Sequence, residues 1–141
     1  LPGGYRILDH MTDAFLEAYG ETLEEAFENA ARGLNDTMVD LMSVKPDREI
    51  RITAEGHDLC SLLFDWLDKV MLLLVSDGIV MSDFSVKIKQ NKGYFLQGIA
   101  KGEPLNLDKH HYKVEIKAVT YHEMEIKQEK GKAAVRFLLD L

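Results

Sequence analysis

The sequence predicts an α+β fold: two amphipathic helices packed on a mainly antiparallel β-sheet, in a single two-layer domain spanning residues 1–141. Three observations lead there. Two stretches repeat apolar residues at three-and-four spacing, the period of a helix with one buried face. Most of the remainder alternates apolar with polar, the period of a strand with one face in water. Turn signals of hairpin type cluster late in the chain, and two helices are too few to cover both faces of a parallel sheet.

The elements follow in order. Tyr5–Leu8 and Ala14–Tyr19 read as short strands on either side of Asp9-His10-Met11-Thr12-Asp13. Thr22 with Glu25 forms a T-x-x-E capping box, so a helix begins there. Leu23, Ala26, Phe27, Ala30, Ala31, Leu34 and Met38 then mark its core face, with Glu24, Glu28, Arg32 and Asn35 on other faces. Ile50, Ile52 and Ala54 alternate with Arg51 and Thr53, predicting a strand. Asp58 is a cap residue for a second helix, whose stripe runs Leu59, Leu62, Leu63, Trp66, Leu67, Val70, Met71 and Leu74. With Phe64, Leu72 and Leu73 also apolar, this helix is expected to be the more deeply buried of the two.

Phe84, Val86 and Ile88 predict a strand, as do Val114, Ile116 and Ala118 and the apolar run Ala133–Leu139, which Arg136 interrupts. Asn91-Lys92-Gly93 and Glu129-Lys130-Gly131-Lys132 supply turns between such runs. The expected order is ββαβαβββββ.

Composition narrows the function classes. Lys and Arg number 17 against 24 Asp and Glu, a formal charge of −7. That balance argues against a protein that works by neutralising phosphates, so little or no direct nucleic-acid binding is expected. A single cysteine, Cys60, excludes an internal disulfide, which with the absence of an evident signal peptide makes the cytoplasm the expected compartment. No apolar run approaches the ~20 residues of a membrane span.

Catalytic signatures fail on inspection. Gly93 to Gly98 has phosphate-loop spacing, but Ile99 and Ala100 follow where Lys and Ser or Thr are needed. His122-Glu123 opens like a zinc-protease helix, yet Ile126 stands at the second ligand position. The five histidines are scattered, and Cys60 sits among apolar neighbours as a packed small hydrophobe. A stand-alone hydrolase or nuclease would need a positioned base and substrate-binding cations, which no recognised signature supplies.

The carboxylates are more informative. Asp13 closes the segment between the first two strands and Asp140 ends the last one, followed by Leu141. If the first hairpin lies beside the last strand, Asp13, Asp140 and a backbone or terminal oxygen of Leu141 converge as hard oxygen ligands, suited to calcium, magnesium or manganese rather than zinc. The alternative is that these acids are merely solvated or capping.

Tyr5-Arg6-Ile7-Leu8-Asp9-His10, Ala18-Tyr19-Gly20, Thr22 through Ala30, Asp65-Trp66-Leu67, Gly102-Glu103-Pro104-Leu105, Lys117-Ala118-Val119-Thr120-Tyr121-His122 and the Leu139-Asp140-Leu141 ending together resemble the archease family over nearly the whole chain. Met11, Thr12, Ala14 and Phe15 depart from the family's usual residues around the first acidic segment, while Asp9, His10 and Asp13 keep its charged positions.

The resemblance implies a non-catalytic accessory protein. Its partner would be the GTP-dependent RNA ligase that joins phosphate-ended to hydroxyl-ended RNA in tRNA splicing and repair. By promoting guanylylation of that ligase, it would allow multiple turnover. In that family an acidic metal site does this work, and the matching residues here are Asp13 and Asp140, with Leu141 as a further ligand. The expected ion is calcium, ahead of magnesium or manganese. Asp9, His10, Lys117 and His122 are expected in the surroundings of the site or at the partner contact. The alternative function is a general chaperone or modulator of nucleic-acid-processing proteins, acting through exposed apolar surface.

Overall fold

The computed structural model describes residues 3–8 and 12–141. Among the described residues, seven strands and two α-helices follow in order as β1 (Gly4–Leu8), β2 (Asp13–Gly20), α1 (Leu23–Met38), β3 (Arg48–Gly56), α2 (Leu59–Val75), β4 (Ile79–Gln90), β5 (Tyr94–Pro104), β6 (Ala118–Glu129) and β7 (Lys132–Asp140), with a 3₁₀ turn at Leu41–Ser43. The expected single sheet is two. One is ordered β1-β2-β7-β6 and the other β3-β5-β4, and every pairing is antiparallel.

Both helix starts obey local chemistry. Thr22 Oγ1 accepts from the Glu25 amide at 3.1 Å, but the Glu25 carboxylate reaches past Thr22 to the Glu21 amide at 2.7 Å, so the box closes one residue early. At α2 the box is complete: Asp58 accepts from the Ser61 amide at 2.8 Å, and the Ser61 hydroxyl accepts from the Asp58 amide at 3.1 Å.

The expected burial order of the helices is reversed. Eleven of the 16 residues of α1 are buried, against seven of the 17 of α2. The cause is position: α1 packs on β1, β2 and β7 of one sheet and on β4 of the other, whereas α2 packs mainly on β3 and the edge strand β6. Leu72 is left 45% exposed.

Helix side chains also close the edges of the three-stranded sheet. On α1, Asn35 accepts from the Met81 amide (3.0 Å), Arg32 donates to the Phe84 carbonyl (3.3 Å) and Glu28 accepts from the Val86 amide (2.9 Å). On α2, Asp65 accepts from the Glu55 amide (2.9 Å) and Lys69 donates to the Thr53 carbonyl (2.7 Å). Residues three or four apart share a helix face, so each stripe pairs with an edge that would otherwise present unpaired amides and carbonyls.

One expected strand is absent. Residues 113–117 are irregular; Ile116 is buried at 1% exposure, but the strand begins only at Ala118. The segment bonds instead to its surroundings, Lys113 N–H to the Met38 carbonyl (2.8 Å) and Lys117 N–H to the Asp140 carbonyl (2.7 Å). Alternation alone cannot tell an extended connection from a strand, because both place successive side chains on opposite sides.

Candidate functional site

Strands β2 and β7 are neighbours at the centre of the four-stranded sheet, and their register sets Asp13 directly opposite Asp140. The same alternation that buries Ala14, Leu16 and Ala18 against the helices turns Asp13, Phe15 and Glu17 to the outer face. On that face the residues form rows. Asp13, Asp140 and Ala118 make the terminal one; apolar Leu8, Phe15 and Leu138, with Thr120 at the β6 end, make the one beneath it. The third row is Arg6, Glu17, Arg136 and Glu125. In it the Glu17 carboxylate accepts from Arg136 Nε at 2.8 Å and Arg6 Nε at 3.0 Å, and those bonds, Arg136 first, lower its pKa.

Directly opposed residues on antiparallel strands have Cβ atoms ~5 Å apart, so the Asp13 and Asp140 carboxylates are within reach of one small cation, and like charges so placed oppose folding until something offsets them. Leu141 follows immediately, and its side chain packs against the hydrophobic core, fixing the backbone oxygens at that point. Lys117, exposed, adjoins through its backbone N–H, which donates to the Asp140 carbonyl. Asp9 and His10 lie outside the described residues. Among the described residues no three His, Cys, Asp or Glu side chains gather as a metal cluster. The donors this row offers are therefore two carboxylates with backbone oxygens beside them, which fits a hard, oxygen-seeking cation and not zinc.

His122 is not brought to this row. It lies four residues beyond Ala118 in a bulge of β6, where the register slips between Thr120 and Glu125 and Glu123 adopts φ 57°. The bulge turns Tyr121 onto Phe64 of α2, with ring centroids 4.2 Å apart and planes 5° from parallel. Cys60, in the first turn of α2, has its thiol pushed up mainly by burial and then by Asp58, which disfavours the nucleophilic thiolate.

A second polar cluster escaped the sequence reading of individual residues. Glu103, at the end of β5, accepts from Lys109 Nζ (2.7 Å), His110 Nε2 (2.8 Å) and the Lys45 amide (2.9 Å), and these bonds hold its carboxyl down at about 2. His110 is fully buried, and its Nδ1 accepts from the Asn106 amide at 2.9 Å, which fixes the Nε2–H tautomer. Both ring nitrogens are thus occupied, leaving none for a substrate, and the Glu103–His110 pair is a tie between the 105–113 loop and β5. The loop's own signal is Asn106, whose side chain accepts from the Asp108 and Lys109 amides.

No helix among the described residues is long and apolar enough to cross a membrane. The Archease protein family model matches residues 5–141. Protein archease of Pyrococcus furiosus is 44% identical over 121 residues, 85% of either chain. That of Thermococcus kodakarensis is 42% identical over 135 residues, 94% of this chain and 95% of its own. That of Methanopyrus kandleri is 39% identical, also over 135 residues. The solution structure of Methanobacterium thermoautotrophicum protein 1598 superposes with a TM-score of 0.79 at 39% identity, covering 98% of this chain and 99% of that one. Matched by the family model over nearly its whole length and by full-length relatives at this identity, the chain belongs to the archease family.

Proposed function

We propose that this protein is an accessory factor of RNA ligation. In this reading it binds the GTP-dependent ligase that joins phosphate-ended to hydroxyl-ended RNA, promotes that enzyme's guanylylation, and so permits repeated turnover without itself being the ligase. The observation that carries the reading is the opposition of Asp13 and Asp140 across β2 and β7, two carboxylates from opposite ends of the chain at one sheet end. Family membership supports it as well.

Asp13, Asp140 and an oxygen of Leu141 would hold a divalent ion, calcium ahead of magnesium or manganese. Bound there, such an ion supplies a Lewis acid that offsets negative charge on nucleotide phosphates. The chain's own part is positional. Core packing of Leu141 and the Lys117–Asp140 backbone bond hold the end of β7, while the apolar row beneath keeps the two carboxylates on a firm base. The charge of −7 suits a partner whose RNA-binding cleft is positive, chiefly by raising the encounter rate.

The test is a ligation assay with ligase in limiting amount and the variants Asp13→Ala and Asp140→Ala. Both should fold, by circular dichroism, and both should lose stimulation of multiple turnover and of ligase guanylylation. Normal stimulation by the two folded variants would end the metal-centred reading.

A further inference from the structure

Charge on this protein is unevenly distributed. Arg6, Arg32, Lys69, Lys109, Lys113 and Arg136 each sit within 3.7 Å of a carboxylate oxygen. The outer face of the β3-β5-β4 sheet differs. Register places Arg51, Ile99 and Ser85 in one row across it, Thr53, Gln97 and Lys87 in the next, and Glu55, Phe95 and Lys89 in the third, all exposed. Lys101 stands between Glu49 and Asp83 in the row beyond Arg51.

Among the described residues none of Arg51, Lys87, Lys89 and Lys101 has a carboxylate partner, whereas Asp83 on the same face is engaged by Arg32 at 3.2 Å. Arg51, Lys87 and Lys89 stand opposite Ile99, Gln97 and Phe95 and face no carboxylate directly, whereas Lys101 lies between Glu49 and Asp83, on a molecule whose total is −7. Total charge governs distant steering, but contact is governed by charge within a Debye length, ~8 Å at physiological salt.

The central strand of this face is apolar where a strand can be felt. Phe95 is 39% and Ile99 37% exposed on β5, with Gln97 between them. Strands lie ~4.8 Å apart and successive rows ~7 Å, so Arg51 on β3 and Lys87 on β4 flank that apolar line ~12 Å from each other, and Lys87 and Lys89 follow at ~7 Å along β4. A groove of about 240 Å³ runs between them, lined by Arg51, Thr53, Ser85, Lys87, Gln97 and Ile99.

From this face we infer that the protein binds a single strand of nucleic acid, bases resting on Phe95 and Ile99 and phosphates reaching Arg51, Lys87 and Lys89. Flat bases stack on aromatic rings without sequence preference, while cations follow the backbone; a paired duplex hides its base faces and leaves Phe95 without a partner. An acidic peptide would meet the cations but offers no flat π face for the ring. The face belongs to the other sheet from the Asp13–Asp140 row, so the inference goes beyond the ligase reading and stands or falls separately. It sets a local limit on the expectation, drawn from total charge, of little nucleic-acid binding.

The experiment is fluorescence anisotropy of a labelled oligouridylate of about twelve residues, titrated with the purified protein. With about three phosphates contacted, log K should fall with log salt at a slope near −2, so raising salt from about 50 to about 200 mM weakens binding ~20-fold. Lys87→Gln should reduce the steepness by ~0.7, and Phe95→Ala should weaken binding roughly fivefold or more with the slope unchanged. Lys132→Gln on the other sheet, where Lys132 pairs with Glu129 at 3.2 Å, should change neither. No saturable binding at the lowest salt would overturn the inference. So would indifference to both Lys87→Gln and Phe95→Ala, or equal affinity for duplex RNA or polyglutamate.

Discussion

Trp66 joins the helices to the three-stranded sheet, and its removal tests that packing quantitatively. The ring is fully buried, its Nε1 donates to the Phe27 carbonyl at 3.0 Å, and it meets Phe84 edge-on with centroids 6.0 Å apart. A buried tryptophan withdraws ~200 Å² from water, about 5 kcal/mol at ~25 cal/mol per Å², of which Ala retains a small part. Trp66→Ala should therefore cost ~3–5 kcal/mol, in the range of such truncations. For a chain of this size that lowers Tm by roughly 10–15 °C.

Gly98 supplies an internal control. A Cβ there would come to 2.8 Å of Trp66 Cζ3, so Gly98→Ala overpacks the wild-type site and should cost ~1–3 kcal/mol. With Trp66 already cut to Ala, the added methyl enters vacated space and its cost should vanish, a coupling of at least ~1 kcal/mol. Urea unfolding of the four proteins measures this. A Trp66→Ala loss below about 1 kcal/mol, or additive behaviour of the pair, would refute the packing described.

Acid should loosen the loop held by Glu103. Its folded pKa of about 2 lies below the unfolded value near 4.5, so its stabilisation is present above about pH 4.5 and is lost as pH falls through about 2. Glu17, also lowered, acts in the same direction, whereas burial raises Glu28 and makes it act in the opposite one. Stability by urea titration should drop over that acid window, and Glu103→Gln should flatten the drop; an unchanged slope would contradict the assignment. Asn35→Ala should cost ~1–3 kcal/mol, because it strands the Met81 amide on the edge of β4, and hydrogen exchange at Met81 should rise with it. Unaltered protection there would show that the amide has another acceptor.

Signals that act over a few residues were readable in the chain. Asp58 capped α2 as expected, the three-and-four stripe from Leu23 to Met38 formed α1, and Asn91-Lys92-Gly93 closed the β4–β5 hairpin, with Lys92 at φ 57° and Gly93 at φ 149°. Caps, periods and turns are local because each is decided by backbone groups within one turn of the residue concerned. Residues Glu28, Arg32 and Asn35 show the limit. Their spacing put them off the core face of α1, but nothing in it said that they would bond an edge strand some fifty residues away.

The same limit divides the candidate site. Asp13 and Asp140 could be named from the sequence as hard oxygen donors near strand ends. Which strands are neighbours, and in what register, depends on burying one face of each strand against helices that are distant in sequence. A slip of one residue would turn either aspartate to the core side. By itself, then, the amino-acid order fixed the helices, the late hairpins, the acidic character and the family resemblance. Tertiary packing alone decided that the strands split into two sheets, that α1 is the deeper helix, and that the two aspartates face each other, because those outcomes depend on the joint burial of segments far apart in the chain.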